Sequence, residues 1–347
     1  MCQFSPDELM PPTHHSAAGG SAVVFWLTLA ALVFLLLKFK WIGSVNKVFN
    51  TTLVSLYTPE DILPIGVEEK MTFDGHALRG FAQMRTRKVL IVGLVRDVES
   101  TLPHLIRKTE RVGEAFADYR IILVENDSRD QTRSKILQWG RSNPRVVLLG
   151  CGVNAQECRL SLPGGKGDHD INRTRIGKMV YLRNIYLDAV RRFDAAEWPY
   201  TILWDLDILG SAYLDGIANT ISRLEEDPSS SAMCAYGAYH VSHYWNNHYD
   251  NYAALLPGEE YRHDLSSLHY AKTISGMTSL PGSEPFQVES CFGGFTLYRT
   301  AALQAPGVRY DMSPQENIEC EHVRLHAKLP GRIFCNPGMI HMVLVND

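Results

Sequence analysis

Two aspartates, Asp205 and Asp207, stand two positions apart at the end of the apolar run ILWDLDIL, residues 202–209. Aspartate is a poor strand residue, so the strand ends there, and the acids make either a chemical site or a plain turn. At such a transition one carboxylate can hold a divalent cation while the other reaches a sugar hydroxyl or a metal-bound water. Mg²⁺ and Mn²⁺ take carboxylate, water and phosphate oxygens, so a metal bridging these acids to a diphosphate is sound chemistry. Two more polar groups close apolar runs, Arg96-Asp97 and Glu125-Asn126-Asp127.

Such groups need a scaffold that brings three strand ends to one rim. KVLIVGLV (88–95), YRIILVE (119–125), RVVLLG (145–150) and YTILWDLD (200–207) are apolar runs of strand length, expected in a parallel sheet covered on both faces. Helical patterns separate them, the longest being NRTRIGKMVYLRNIYLDAVRRF (172–193). The alternation reads as βαβ units and an α/β fold, in which ligands bind beyond the carboxyl ends of the strands. Further on, CFGGFTLYR (291–299) puts Gly293 and Gly294 in a strand-like context, where glycine suggests close backbone approach to a ligand. The stretch between Tyr236 and Tyr252 is dense in aromatic rings. Sugars lay their C–H faces on such rings, so Tyr239, Tyr244 and Trp245 either line an acceptor groove or pack beneath a long loop.

The loop VENDSRDQT (124–132) resembles the nucleotide-binding loop of GT-A glycosyltransferases, often written Val-Asp-Asp-Gly-Ser-x-Asp-x-Thr. Glu125 takes the first acidic position, Ser128, Asp130 and Thr132 match, and Asn126 and Asp127 depart from the pattern. The resemblance implies a GT-A fold, Rossmann-like with a mostly parallel central sheet and flanking helices. It would cover residues 88–347, with a nucleotide-binding half (88–207) and an acceptor half (208–347). It also implies a metal-dependent glycosyltransferase that moves a sugar from a nucleotide diphosphate donor to a glycan acceptor. Donor contacts would come from Arg96, from Glu125 at the base or ribose, and from Arg175, Lys178, Arg183 and Asn184 at the diphosphate. Asp205 would join them, with Gly293 and Gly294 facing the transferred sugar. Asp130 and Thr132 would shape the loop, helix capping being the alternative for both; a solvated face is the alternative for the basic helix. Asp205, Asp207 and His341, from GMIHMVL (338–344), would hold Mn²⁺ or Mg²⁺. In ENIECEHVRLH (316–326), Glu321 would serve as the catalytic base of an inverting enzyme, with Glu319 second. In a retaining enzyme Glu321 would orient the sugar or stabilise positive charge at the anomeric carbon.

A narrower resemblance lies in PFQVESCFGGFTLYRTAAL (285–303) and ECEHVRLHAKLPGRIFCNPGMIHMV (319–343). These are similar to the cryptococcal capsule-associated α-1,3-mannosyltransferase family in the order of a Ser-Cys stretch, a Glu-Cys pair and an Asn-Pro strand. That similarity implies GDP-mannose and retention of configuration. The yeast mannan-polymerase subunits are similar in general layout.

The 347 residues allow one large domain or two modest ones, and a net charge of −4 gives no reason to expect nucleic acid as a partner. Residues 17–37 are 21 positions without a charge. A helix of that length spans roughly 30 Å, the thickness of a bilayer's hydrocarbon core. The absence of Lys and Arg from residues 1–20 argues against a cleaved signal peptide. The expected order is a tail (1–16), a single transmembrane anchor (17–37), a stem or linker (38–87) and the catalytic domain. Lys38 and Lys40 just past the span would leave that domain cytoplasmic by the positive-inside rule, whereas a lumenal Golgi or ER placement is expected here; both stand open. Seven cysteines without CxxC or zinc-like spacing predict one or two disulfides at most, or buried free thiols. The sequons at Asn50 and Asn172 matter only in a lumenal domain. Two other functions fit part of the pattern. A sugar-phosphate nucleotidyltransferase would carry a glycine-rich basic signature after the first strand, where this chain reads GLVRDVES; a non-catalytic membrane-anchored scaffold would not need the intact acids.

Overall fold

The four apolar runs are strands β1 (Lys88–Val95), β2 (Asp118–Glu125), β3 (Val146–Leu149) and β4 (Tyr200–Trp204). The molecule is described by a computed structural model, which covers residues 67–150, 172–208, 210, 212–242, 245–248, 250–260, 279, 282–314 and 318–343. The expected anchor, most of the stem, Asn50 and Tyr244 lie outside these residues, and only the backbone of Tyr239 and Trp245 is described. Among the described residues no helix is long and apolar enough to cross a membrane.

Helices α1 (Val67–Met84), α2 (Leu102–Glu114), α3 (Thr132–Ser142), α4 (Arg173–Val190) and α5 (Leu214–Glu226) surround the sheet. The C-terminal part adds β5 (Ser230–Ser242), β6 (Trp245–His248), β7 (Phe286–Val288), β8 (Phe295–Arg299) and β9 (Arg332–Val343), with the short helices α6 (Thr300–Leu303) and α7 (Glu321–His326). The strand order is β3-β2-β1-β4-β8-β5-β9-β7, with β6 hanging on β5. From β3 to β4 all pairings are parallel. Beyond β4 the sheet is mixed: β8 runs antiparallel to β4 and β5, β5 and β9 are parallel, and β7 is antiparallel to β9. The expected α/β sheet is therefore present, but it is parallel throughout only from β3 to β4.

Val89, Ile91, Ile121, Leu123 and Ile202 are completely buried, because helices cover both faces of the parallel half. Each such side chain contributes about 1.5–3 kcal/mol of burial. The order β3-β2-β1-β4 places the reversal of strand order between β1 and β4, two parallel strands whose carboxyl ends flank a crevice.

Residues 67–84 were expected in an irregular stem, yet they form α1 and belong to the domain. Phe73 and Ala77 are buried, and Asn219 of α5 donates to the Phe73 carbonyl at 3.3 Å. The helices meet at Gly80, where an added Cβ would stand 1.7 Å from the Ala218 carbonyl oxygen. The sequence hides this helix because its apolar stripe is broken by Gly75, His76 and Gly80. Gly80→Val is expected to push α1 off α5 and to lower stability by about 1–3 kcal/mol, read as a lower urea midpoint.

Candidate active site

The carboxyl ends of β1 and β2 are laced together by side chains accepting from backbone. Asp97 N–H donates to Ser128 Oγ at 3.1 Å, Val98 N–H to Thr132 Oγ1 at 2.7 Å, and Glu99 N–H to Asp130 Oδ2 at 3.0 Å. In return, Arg129 N–H donates to Asp97 Oδ1 at 2.7 Å and Gln131 N–H to Glu99 Oε2 at 3.0 Å. Asp130 Oδ1 also accepts from Thr132 N–H in a local turn just before α3. The helix's N-cap position is Gln131, which makes no side-chain cap bond, so Asp130 and Thr132 shape the loop rather than cap the helix. Asp97 and Asp127 adopt φ values of 51° and 55°, a left-handed conformation that costs a non-glycine residue energy and is sustained here by the lacing.

Glu125 is a correction. It was expected to touch the donor's base or ribose, but its Oε1 accepts from Ser128 N–H and its Oε2 pairs with Arg133, both at 2.8 Å. The residue is 1% exposed, so its carboxylate holds the loop. The neighbouring Asn126 does line the cavity, and neither atom of its buried amide makes a hydrogen bond. Such orphaned polar groups are rare and ask for an explanation, an absent ligand being one.

That cavity, of about 160 Å³, lies at the switch point between β1 and β4. Arg96, Asn126, Arg175, Lys178 and Asp207 supply its polar lining. Asn172 caps α4 by accepting from Arg175 N–H at 2.9 Å, which fixes the first turn that carries Arg175 and Lys178. Lys178 Nζ stands 3.7 Å from Asp127 Oδ2, and burial together with Arg96 pulls its pKa down. Three cations around one exposed carboxylate make a seat for a polyanion. A larger cavity, about 710 Å³, lies at the amino-terminal rim of β5 and β9 and contains none of the expected site residues.

Arg183 departs from the donor-facing role given to it. It is 5% exposed, and its Nε donates to Glu321 Oε1 at 2.8 Å while Nη2 reaches Asp205 Oδ1 at 3.3 Å. Its Nη1 donates to Tyr186 Oη at 3.1 Å, and the guanidinium lies 5.4 Å from the Phe292 ring centre. The long helix thus spends this arginine on joining two carboxylates. Glu321 starts α7 as expected and is brought to the site, but as a buried partner of Arg183. Glu319 is not brought there; it faces Arg324 at 3.5 Å. Burial raises the pKa of Asp205 to about 7; Arg183 opposes the shift, while Asp207 and Glu321 add to it. Asp250, at φ 68°, lies within the field of the acid pair: burial, Asp205 and Glu321 push its pKa well up.

Behind Asp205 and Asp207 lies a second correction. His341 is fully buried on β9, close to Trp204. The indole N–H can only donate, so His341 Nε2 accepts it at 3.1 Å and the ring proton sits on Nδ1, donated to Gly293 O at 3.0 Å. Burial and Lys108 lower its pKa to about 3. With both nitrogens engaged, His341 offers no lone pair to a metal. Among the described residues no group of three or more His, Cys, Asp or Glu side chains gathers as a metal site, so the expected three-residue shell is not assembled. Asp207 nevertheless opens an exposed carboxylate onto the cavity. One carboxylate suits Mg²⁺ or Mn²⁺ that brings phosphate and water oxygens as its other ligands.

Gly293 and Gly294 form a turn rather than a strand, with φ values of 61° and 75°. A Cβ at 293 would stand 2.3 Å from the Ala235 carbonyl oxygen, so that glycine permits close packing on β5. Gly294 O accepts from Asp205 N–H at 2.9 Å. A disulfide between Cys234 and Cys291 holds this turn, and Cys320 and Cys335 are buried free thiols, in line with the expected cysteine usage. Lys108 was missed. It occupies the buried face of α2, donates to Ile208 O at 2.8 Å, and has its pKa lowered to about 8 by burial against the pull of Asp207 and Asp205. A lysine interrupting the apolar stripe of Leu105 and Val112 was the available signal.

No protein-family model matches the chain, and no curated protein matches it. Among solved structures it is similar to mannosyltransferase PcManGT from Pyrobaculum calidifontis in complex with GDP-Man and Mn²⁺. That likeness has 11% identity and TM-score 0.44, over 81% of this chain and 68% of that one. It is also similar to TarS 1–349 of S. aureus in complex with UDP-GlcNAc, with 12% identity and TM-score 0.42, over 75% of this chain and 59% of that one. GalNAc-T7 with UDP, GalNAc and Mn²⁺ has 12% identity and TM-score 0.44, over 82% of this chain and 53% of that one.

Arg183→Met is expected to strand two acids and to cost about 3–5 kcal/mol, measured by urea unfolding. The raised pKa of Asp205 means that the folded chain binds more protons than the unfolded chain between about pH 4 and its folded value of about 7. Its contribution to stability therefore falls as pH rises through that window. Asp205→Asn is expected to flatten that part of the stability–pH curve, followed by thermal unfolding from pH 4.5 to 8.

Proposed function

We propose that the chain is a metal-dependent glycosyltransferase that moves a sugar, mannose from GDP-mannose favoured, from a nucleotide diphosphate donor to a glycan acceptor. The observation that carries this reading is the switch-point cavity where Arg96, Arg175 and Lys178 face the open carboxylate of Asp207. Ligand pockets usually run to about 300–1,000 Å³, so a cavity of about 160 Å³ suits the diphosphate portion of a donor. The preference for GDP-mannose rests on the mannosyltransferase-like stretches 285–303 and 319–343. A UDP-sugar is the alternative donor.

The three cations would bind the diphosphate and share the charge that grows on it as the glycosidic bond breaks. Asp207 would hold Mn²⁺ or Mg²⁺; when bound, the ion acts as a Lewis acid on the leaving phosphate. Arg183 keeps Glu321 and Asp205 in one place beside that centre, where Glu321 orients the sugar. A base to activate the acceptor needs a free lone pair. Glu321 Oε1 is held by Arg183, which supports the sugar-orienting role, while Oε2 is the oxygen a base would use in an inverting reaction. The acceptor surface is proposed on the β5–β6 hairpin that carries Tyr239 and Trp245, near Tyr244. A single-pass membrane anchor at 17–37 and a lumenal Golgi or ER setting complete the proposal.

The test is a donor-hydrolysis screen over GDP- and UDP-sugars with and without Mn²⁺. One nucleotide sugar is expected to be cleaved, the activity lost in EDTA and restored by Mn²⁺. Asp207→Ala is expected to lower kcat about 100-fold or more, and Lys178→Ala to raise the donor KM about tenfold. Pyrophosphate formed from a nucleoside triphosphate and a sugar phosphate would instead make the chain a nucleotidyltransferase. A folded protein that binds no nucleotide sugar would mark it as a scaffold.

A further inference from the structure

Lys108 lies outside the polar lining of the cavity, yet its burial asks for a reason. It sits on the inner face of α2 with Leu105 and Val112 and is 6% exposed. A methionine of similar length would fill that space without the desolvation an ammonium suffers. What methionine lacks is the donated hydrogen bond to Ile208 O, 2.8 Å long, and a charge felt by Asp207 and Asp205. The ammonium also stands 5.0 Å from the ring centre of Trp204, the last residue of β4. One turn earlier on the same helix, His104 Nε2 lies 3.1 Å from Gly210 O. Side chains four apart on a helix share a face. Together they grip two carbonyls of the loop after β4, on either side of residue 209.

We propose that Lys108 is a positioning residue which, with His104, holds the chain after β4 at Ile208 and Gly210 so that Asp207 meets a donor's diphosphate already in place. The inference rests on reading the cavity as a nucleoside-diphosphate site. Preorganisation is its physical content: a carboxylate on a loop fixed before binding does not have to be ordered at the moment of binding. The loop has an independent hold on its other side, where Asp205 N–H donates to Gly294 O, so loss of the clamp loosens one edge without dismantling the strand.

The experiment compares the full chain with Lys108→Met, Lys108→Gln and His104→Ala by two measurements. Amide hydrogen exchange over 205–210 reads the loop in the free protein, and calorimetry with GDP and UDP plus Mn²⁺ reads the ligand. Lys108→Met is expected to speed exchange in that loop about tenfold while leaving β2 unchanged. It is also expected to weaken diphosphate binding about tenfold, the equivalent of one charge-assisted hydrogen bond. Lys108→Gln retains a donor without the charge and is expected to fall between Lys108→Met and the unaltered chain. If Lys108→Met does not fold, Lys108→Gln and His104→Ala carry the test with the same criteria. Unchanged exchange in the folded variants overturns the clamp. Faster exchange with undiminished diphosphate affinity overturns the positioning role. If the unaltered chain binds neither diphosphate, the functional reading itself fails and takes the positioning role with it.

Discussion

A single buried guanidinium joins the two halves of the site. Arg183 comes from α4, which precedes β4 in the chain, and it bonds Glu321 of α7, far along the chain, and Asp205 at the end of β4. Three charges packed this closely, with little water, are tolerable only as a set. The arginine satisfies the two acids, and Tyr186 and Phe292 hold the arginine. Each element that brings one of these groups is thereby placed with respect to the others. The arginine therefore ties Asp205, next to the cavity, to Glu321 on another element.

The phosphate-sized cavity has a different origin. Its walls are backbone ends, and backbone ends would fray if their polar groups were left to water. The lacing of 97–99 to 128–132 prevents this by giving the N–H groups at the tip of β1 acceptors from the next loop. Glu125 belongs to that lacing, so its charge is spent on order and leaves the neighbouring Asn126 as the polar group lining the cavity. The division of labour is physical: a carboxylate buried against an arginine and a backbone N–H has no open face left for a ligand, whereas the Asn126 amide beside it does.

The parallel half of the sheet was legible because its strands are continuous apolar runs; three ended within a residue of the run, and the fourth stopped at Trp204, three short of Asp207. The long helix and the acidic start of α7 were legible for similar reasons of period and spacing. The same cues failed where a residue's role depended on a distant partner. Arg183 looks like Arg175 along the helix, and only Glu321, 138 positions away, distinguishes them. His341 looks like a ligand until Trp204 occupies its free nitrogen. Gly293 looks like an opening toward a ligand until Ala235 is seen to press on it. Lys108 was visible as an interruption of an apolar stripe, but nothing local says which carbonyl it will hold. Motifs therefore located the site, while tertiary pairing decided which members of each motif remain free.

The mixed half of the sheet carries the remaining constraint on Asp207. The turn at Gly293 and Gly294 receives Asp205 N–H on one side and the His341 ring on the other, and the Cys234–Cys291 disulfide fixes the segment that leads into it. His341 in turn anchors Trp204, the residue immediately before Asp205. The histidine therefore acts on the acids through the backbone: it sets where β4 ends, and hence where Asp205 and Asp207 begin. A neutral imidazole is needed for this, since only the unprotonated Nε2 can accept the indole N–H, and full burial with Lys108 nearby keeps it neutral. The ammonium on α2 and the imidazole on β9 both meet Trp204, one holding the loop after the strand and the other the strand's last ring. What they jointly preserve is a carboxylate that stays open to the cavity while everything behind it is bonded.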